Sequence, residues 1–143
     1  MHRVSEILAE KPGDLLTVDA DDSVLNAVKQ MVEANVGSLL VVVDGRIQGI
    51  VTERDYLRRV TLEGRTEKDT PVREIMTSPL IVIGPETSVD ECMALMTDRR
   101  IRHLPVVDDG RVVAVVSIGD LVKFQSKQQD FQIKYLTDYI TAR

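Results

Sequence analysis

Residues Ser23–Asp55 read SVLNAVKQMVEANVGSLLVVVDGRIQGIVTERD, and residues Ser88–Asp120 read SVDECMALMTDRRIRHLPVVDDGRVVAVVSIGD. At a constant offset of 65, 11 of these 33 positions are identical without a gap. The chain therefore carries one unit twice. A unit this short buries little core alone, so the copies are expected to pack on each other. Two similar halves that face each other leave a cleft between them, and function is sought there.

Each copy opens with a helical pattern. Val24, Ala27, Val28, Met31 and Val32 recur at helical spacing, matched by Val89, Cys92, Met93 and Met96. Ser23 is a candidate N-cap, and Ser88 with Glu91 has the spacing of a capping box. Apolar, β-branched runs follow at Leu39–Val43 and Leu104–Val107. Asp44-Gly45 and Asp109-Gly110 then mark two-residue turns, because Asp and Gly tolerate the positive φ that tight hairpins require. Ile47–Val51 and Val112–Val116 form the returning strands, and their near-continuous apolarity predicts burial on both faces. Helices are expected over Glu53–Val60 and Gly119–Gln125.

Upstream, Val4-Ser5-Glu6-Ile7-Leu8 recurs as Val72-Arg73-Glu74-Ile75-Met76 at an offset of 68, so the first copy holds three extra residues within Ala9–Asp14. Leu15–Val18 and Leu80–Ile83 read as short strands entering each repeat. The order is β-α-β-β-α twice, an α/β (α+β) chain. It divides into a first repeat (1–60), a polar linker (61–71) containing Gly64 and Pro71, a second repeat (72–125) and a C-terminal helix (126–143). Phe131, Tyr135 and Tyr139 fall on one face of that helix, either as a cover for the protein's own core or as a subunit contact.

The bulk properties exclude several classes. Aromatic residues are scarce and four of the five lie beyond residue 123, so the repeat cores are aliphatic. A net charge of −5 argues against broad electrostatic binding to nucleic acid or to an anionic membrane. Cys92 is the single cysteine and reads as a small buried hydrophobe. The start of the sequence has no apolar run of signal-peptide length and no segment approaches a membrane span, which points to the cytoplasm.

The residues with chemical potential are Thr52 with Asp55 and Ser117 with Asp120. Each pair stands where an apolar strand gives way to a helix. Backbone N–H groups at a helix start suit a phosphate, and a hydroxyl there can donate to one. A carboxylate one turn on can accept from the two vicinal hydroxyls of a ribose. Thr/Ser-x-x-Asp before a helix is equally the pattern of a plain capping box, and duplication copies caps as well as sites. No Cys-His or Ser-His-Asp set, metal-spaced His/Cys cluster or phosphate-binding glycine loop speaks for catalysis.

The runs Gly49-Ile50-Val51-Thr52-Glu53-Arg54-Asp55, Ile101-Arg102-His103-Leu104-Pro105-Val106-Val107-Asp108 and Val115-Val116-Ser117-Ile118-Gly119-Asp120-Leu121 resemble a cystathionine-β-synthase (CBS) domain pair, or Bateman module. The resemblance covers about Val4 to Gln125. It implies two repeats packed by their sheets about a pseudo-twofold axis, and adenosine-containing ligands (AMP, ADP, ATP, NAD or S-adenosylmethionine) in two inter-repeat clefts. It places phosphate at Thr52 and Ser117, and ribose at Asp55 and Asp120. By the same pattern Asp120 shares a cleft with Thr17, Val18, Gly37 and Ser38, and Asp55 shares one with Val82, Ile83, Arg102 and His103. The clefts are expected to be unequal. Gly49 becomes Ala114, Arg54 becomes Gly119, and Gly37-Ser38 is matched by Arg102-His103, a pair suited to a phosphate. The implied function is a stand-alone, homodimeric nucleotide sensor acting in trans on an unknown protein target. The alternative is a structural adaptor with vestigial clefts, and nucleic-acid binding ranks third.

Overall fold

The computed structural model describes residues 1–11 and 13–141; the side chains of residues 131, 133 and 135–141 lie outside the described set, and with them the Phe131, Tyr135 and Tyr139 stripe. In chain order the elements are α1 (Val4–Glu10), β1 (Thr17–Asp19), α2 (Val24–Ala34), β2 (Ser38–Val43), β3 (Arg46–Thr52), α3 (Glu53–Tyr56), α4 (Val89–Arg99), β4 (His103–Asp108), β5 (Arg111–Ser117) and α5 (Ile118–Thr141). The helix expected over Glu53–Val60 is α only to Tyr56. It widens over Leu57–Thr61, where the Leu62 N–H donates to the Leu57 carbonyl at 3.1 Å.

Local rules explain most of these elements. Ser23 Oγ accepts from the Asn26 N–H at 3.1 Å, and Ser88 Oγ from the Glu91 N–H at 3.0 Å, so both serines start their helices. The expected box at Ser88 is only half formed, since Glu91 stays exposed and no return bond to the Ser88 N–H is present among the described residues. Asn35 (φ 54°) and Arg100 (φ 55°) end α2 and α4 in the left-handed conformation at matching positions. Both hairpins turn on Asp-Gly with positive φ, 50° and 78° in one and 53° and 76° in the other. Even the register irregularity recurs, at Val41/Val42 and at Val106/Val107.

The chain forms two compact units, Asp14–Ile81 and Met1–Gly13 with Val82–Arg143. In the first, β1 pairs parallel with β2 and β2 antiparallel with β3. Val18, Val24, Ala27, Met31, Leu39, Val41 and Val51 join Val60, Val72 and Ile75 in its core. In the second, β4 and β5 form the hairpin. Val4, Ile7, Val89, Cys92, Met96, Leu104, Leu121 and Phe124 are buried there.

The sequence repeats are thus not the packing units. The opening segment of the first repeat packs in the unit that holds most of the second, and the opening segment of the second packs in the unit that holds most of the first. The Val72 N–H donates to the Asp22 carbonyl (2.8 Å), Arg73 to Ala20 (2.8 Å), and Val24 to Thr70 (2.8 Å). Each bond has its counterpart: Val4 to Thr87 (2.9 Å), Ser5 to Pro85 (2.9 Å) and Val89 to His2 (2.9 Å). The carbonyls of Thr70 and His2 thereby satisfy N–H groups at the starts of α2 and α4 that have no partner within the helix.

Two expectations need correction. Leu80–Ile83 is not a strand, because only Ile83 bridges, to Val106. In the first repeat the Ala20 N–H donates to the Val42 carbonyl at 2.9 Å and prolongs the pairing; Pro85 at the matching position has no N–H to give. Nor is either returning strand buried throughout, since Gln48 is exposed on β3. On β5 Val116 is buried, but Val113 is 45% exposed. On β3 the Thr77 backbone pairs with Ile50 and helps cover the strand, whereas the matching Val115 carbonyl is met by the Lys11 ammonium.

Candidate functional site

Thr52 ends β3 and Ser117 ends β5, each in the first repeat's or second repeat's strand-to-helix corner. Thr52 is extended (φ −124°, ψ 165°) and caps α3. The Asp55 N–H donates to Thr52 Oγ1 at 3.2 Å, and Asp55 Oδ2 accepts from the Thr52 N–H at 3.0 Å and from its hydroxyl at 3.2 Å. In the second repeat the Asp120 N–H donates to Ser117 Oγ at 3.1 Å and the Ser117 N–H to Asp120 Oδ2 at 2.8 Å. Both motifs are therefore reciprocal capping boxes, with Asp in the place Glu or Gln usually takes.

The neighbouring residues gather by register. Ser38 lies opposite Thr52, and the Glu53 N–H donates to the Gly37 carbonyl at 3.1 Å. Thr17 and Val18 pair with Leu40 and Val41, farther along the same strand. In the other unit His103 lies opposite Ser117, and the Ile118 N–H donates to the Arg102 carbonyl at 2.9 Å. Ile83 is buried at its bridge to Val106; Val82 is 45% exposed. Arg54 and Arg102 are exposed at the two corners.

The two carboxylates differ in their electrostatics. Burial raises the Asp55 carboxyl above its ordinary value and outweighs the Thr52 N–H, the Thr52 hydroxyl and the charges of Arg59 and Arg54. Burial also works to raise Asp120, but there the Lys11 ammonium and the Ser117 N–H together prevail and hold it below its ordinary value. Lys11 Nζ stands 2.6 Å from Asp120 Oδ2 and also donates to the Val115 carbonyl. His103 is shifted down, first by burial and then by the charges of Lys11 and Arg102, against the opposing pull of Asp120. Its imidazole is thereby biased to the neutral form.

A cavity of about 120 Å³ is lined by Asp120 with Ile7, Glu10, Lys11, Lys123, Phe124 and Lys127. A larger open hollow of about 570 Å³ lies between Val82, Ile83, Gly84, Thr87, Glu91, Leu95 and Val107; it includes neither Ser117 nor Asp120. Lys11 escaped the sequence reading. Its one signal was the three-residue surplus in Ala9–Asp14, which contains it.

A family model, the CBS domain, matches residues 4–61 and again 72–127. The chain belongs to the CBS-domain family. The CBS domain-containing protein CBSX3, mitochondrial, of Arabidopsis thaliana is 43% identical over 146 residues, spanning 96% of this chain and 71% of the relative. Among solved structures, a CBS-domain protein of Burkholderia ambifaria MC40-6, whose name gives signal transduction as its suspected role, is 49% identical with a TM-score of 0.80 over 85% of this chain and 91% of that one. The hexameric CBS-CP12 protein of bloom-forming cyanobacteria is 30% identical with a TM-score of 0.75 over 84% and 70%. Two CBS repeats in a mixed helix-and-strand chain are what the sequence resemblance implied. Among the described residues, no helix is long and apolar enough to cross a membrane, and no group of three or more His, Cys, Asp or Glu could hold a metal ion.

Proposed function

We propose that this CBS-domain protein is a regulatory module that takes up an adenosine-containing nucleotide (AMP, ADP, ATP or NAD) and passes the signal to a protein partner. Thr52 and Ser117 meet phosphate, Asp55 and Asp120 meet the ribose diol, and Arg102 and His103 add donors to the phosphate. Thr17, Val18, Gly37, Ser38, Val82, Ile83 and Arg54 lie on the adenine side. The observation that supports this reading is the duplicated placement of a hydroxyl and a carboxylate three residues apart, each pair at a strand-to-helix corner of a CBS repeat. The proposed output is a population shift. A ligand that binds one conformation better moves the equilibrium toward it by its differential affinity. The module acts as a homodimer and performs no chemistry on its ligand.

Isothermal titration and thermal denaturation with AMP, ADP, ATP and NAD test this. A ligand at 100 times its dissociation constant adds about 2.7 kcal/mol of stability, a rise in melting temperature of several degrees. No response to any of the four overturns the proposal. The adaptor reading would then stand, and one observation favours it: the same side-chain atoms are already used as helix caps.

A further inference from the structure

Among the described residues no lysine meets Asp55 as Lys11 meets Asp120, and the position of Lys11 explains why. In the first repeat, Ile50 exchanges backbone hydrogen bonds with Thr77, at 3.1 and 2.8 Å. That approach requires Gly49, since a Cβ there would meet Met76 Sδ at 2.9 Å and the Thr77 carbonyl oxygen at 3.1 Å. The second repeat has Ala114 and Val115 at the matching positions. There α1 runs on to Glu10, and the Lys11 side chain supplies the donor that the Val115 carbonyl takes in place of a backbone N–H. The same ammonium reaches Asp120 Oδ2 at 2.6 Å.

The pair is accessible, with Lys11 36% and Asp120 26% exposed at the side chain. Two further lysines line the cavity beside it. Lys127 lies 3.5 Å from Glu10, and of Lys11, Lys123 and Lys127 it is Lys11 that is ion-paired with Asp120 among the described residues. The Arg102 charge also acts on this corner, where the His103 imidazole is biased to the neutral form. Asp55, the matching carboxylate, has Arg54 and Arg59 as its charged neighbours.

A ribose that donates two hydroxyls to Asp120 competes with the Lys11 ammonium for the same carboxylate. A neutral nucleoside offers the displaced ammonium nothing in return. A nucleotide offers an anionic phosphate, so the ammonium exchanges one charge-assisted bond for another. We propose that Lys11 makes the Asp120 site select phosphate-bearing nucleotides over nucleosides. This rests on the nucleotide-sensing reading above, and it assigns Lys11 as the residue that sets ligand class at one of the two sites.

Amide NMR titrations with AMP and with adenosine test it, because the Ser117–Asp120 and Thr52–Asp55 signals report the sites separately. The proteins compared are wild type, Lys11→Met and Lys11→Arg. In Lys11→Met the preference for AMP over adenosine at Ser117–Asp120 falls by about tenfold or more, the worth of one charge-assisted bond. At Thr52–Asp55 it stays within about twofold, as for uncoupled positions. Lys11→Arg keeps the wild-type preference, and it carries the test if Lys11→Met loses the native spectrum, since a lost preference in the arginine variant shows that charge is not the selector. An unchanged preference in Lys11→Met, or AMP shifts confined to Thr52–Asp55, overturns the role of Lys11 while leaving nucleotide binding intact. Silence of both sites toward AMP and adenosine in all three proteins overturns both.

Discussion

Gly49 lies against Met76, so closely that a Cβ on the glycine would stand 2.9 Å from the methionine Sδ and 3.1 Å from the Thr77 carbonyl oxygen. The sulfur can move, but the carbonyl accepts from the Ile50 N–H and would have to give by a few tenths of an ångström, at the expense of the Ile50–Thr77 bridge. Gly49→Ala is expected to cost about 1–3 kcal/mol, the range for overpacking a filled site. Urea denaturation measures the loss, and hydrogen exchange should place it at the Ile50 and Thr77 amides. A neutral effect would show that the two segments separate freely.

The exchange of leading segments makes a prediction that a reading of the repeats as separate packing units does not. Ile7 belongs to the opening segment of the first repeat but is buried in the unit that holds most of the second. Ile7→Ala should cost about 2–5 kcal/mol. The loss of amide protection should fall on α4, β4 and β5 rather than on β1, β2 and β3. The mirror substitution, Ile75→Ala, should reverse that pattern, since Ile75 belongs to the core of Asp14–Ile81.

The two carboxylates should titrate on opposite sides of the ordinary aspartate value of 3.8. Asp55 binds its proton more tightly in the folded protein than in the unfolded chain. Its contribution to stability is therefore full below pH 3.8 and is lost as pH rises through the higher folded value. Asp120 is the reverse. Its contribution is present above pH 3.8 and is lost as pH falls through the lower folded value. Carboxyl ¹³C shifts recorded against pH give both directly. Lys11→Met should raise the Asp120 value, because burial then acts with less opposition. An unmoved Asp120 would mean that Lys11 does not hold it in solution.

Cys92 should be inert in the native state. It is fully buried, and burial first, with the Glu91 charge second, pushes its thiol up to about 11. At pH 7–8 almost no thiolate is present, so a disulfide reagent should label it only through opening of the second unit. Labelling should quicken in Ile7→Ala in step with the lost stability. Fast labelling of the wild-type protein would contradict the burial.

The order of elements was legible because its signals are local. Ser23 and Ser88 cap the helices they precede, and Asp-Gly turns take the positive φ that two-residue hairpins demand. Thr52 with Asp55 and Ser117 with Asp120 meet at the strand ends because a spacing of three returns a side chain to its own cap. The missing strand at Leu80–Ile83 was readable in principle from Pro85, which removes one ladder donor.

Sequence alone determined the duplication, the hairpins, the helix starts and the family, all of which depend on residues near one another or on a repeated pattern. Tertiary structure alone decided which leading segment lies on which repeat. Val4–Ile7 and Val72–Ile75 carry nearly the same apolar positions and offer the same backbone bonds, so neither pattern states its own partner. It also decided the inequality of the two carboxylates. The Lys11 ammonium meets Asp120 across 109 residues of chain, and a contact of that range leaves no period or spacing in the sequence to be read.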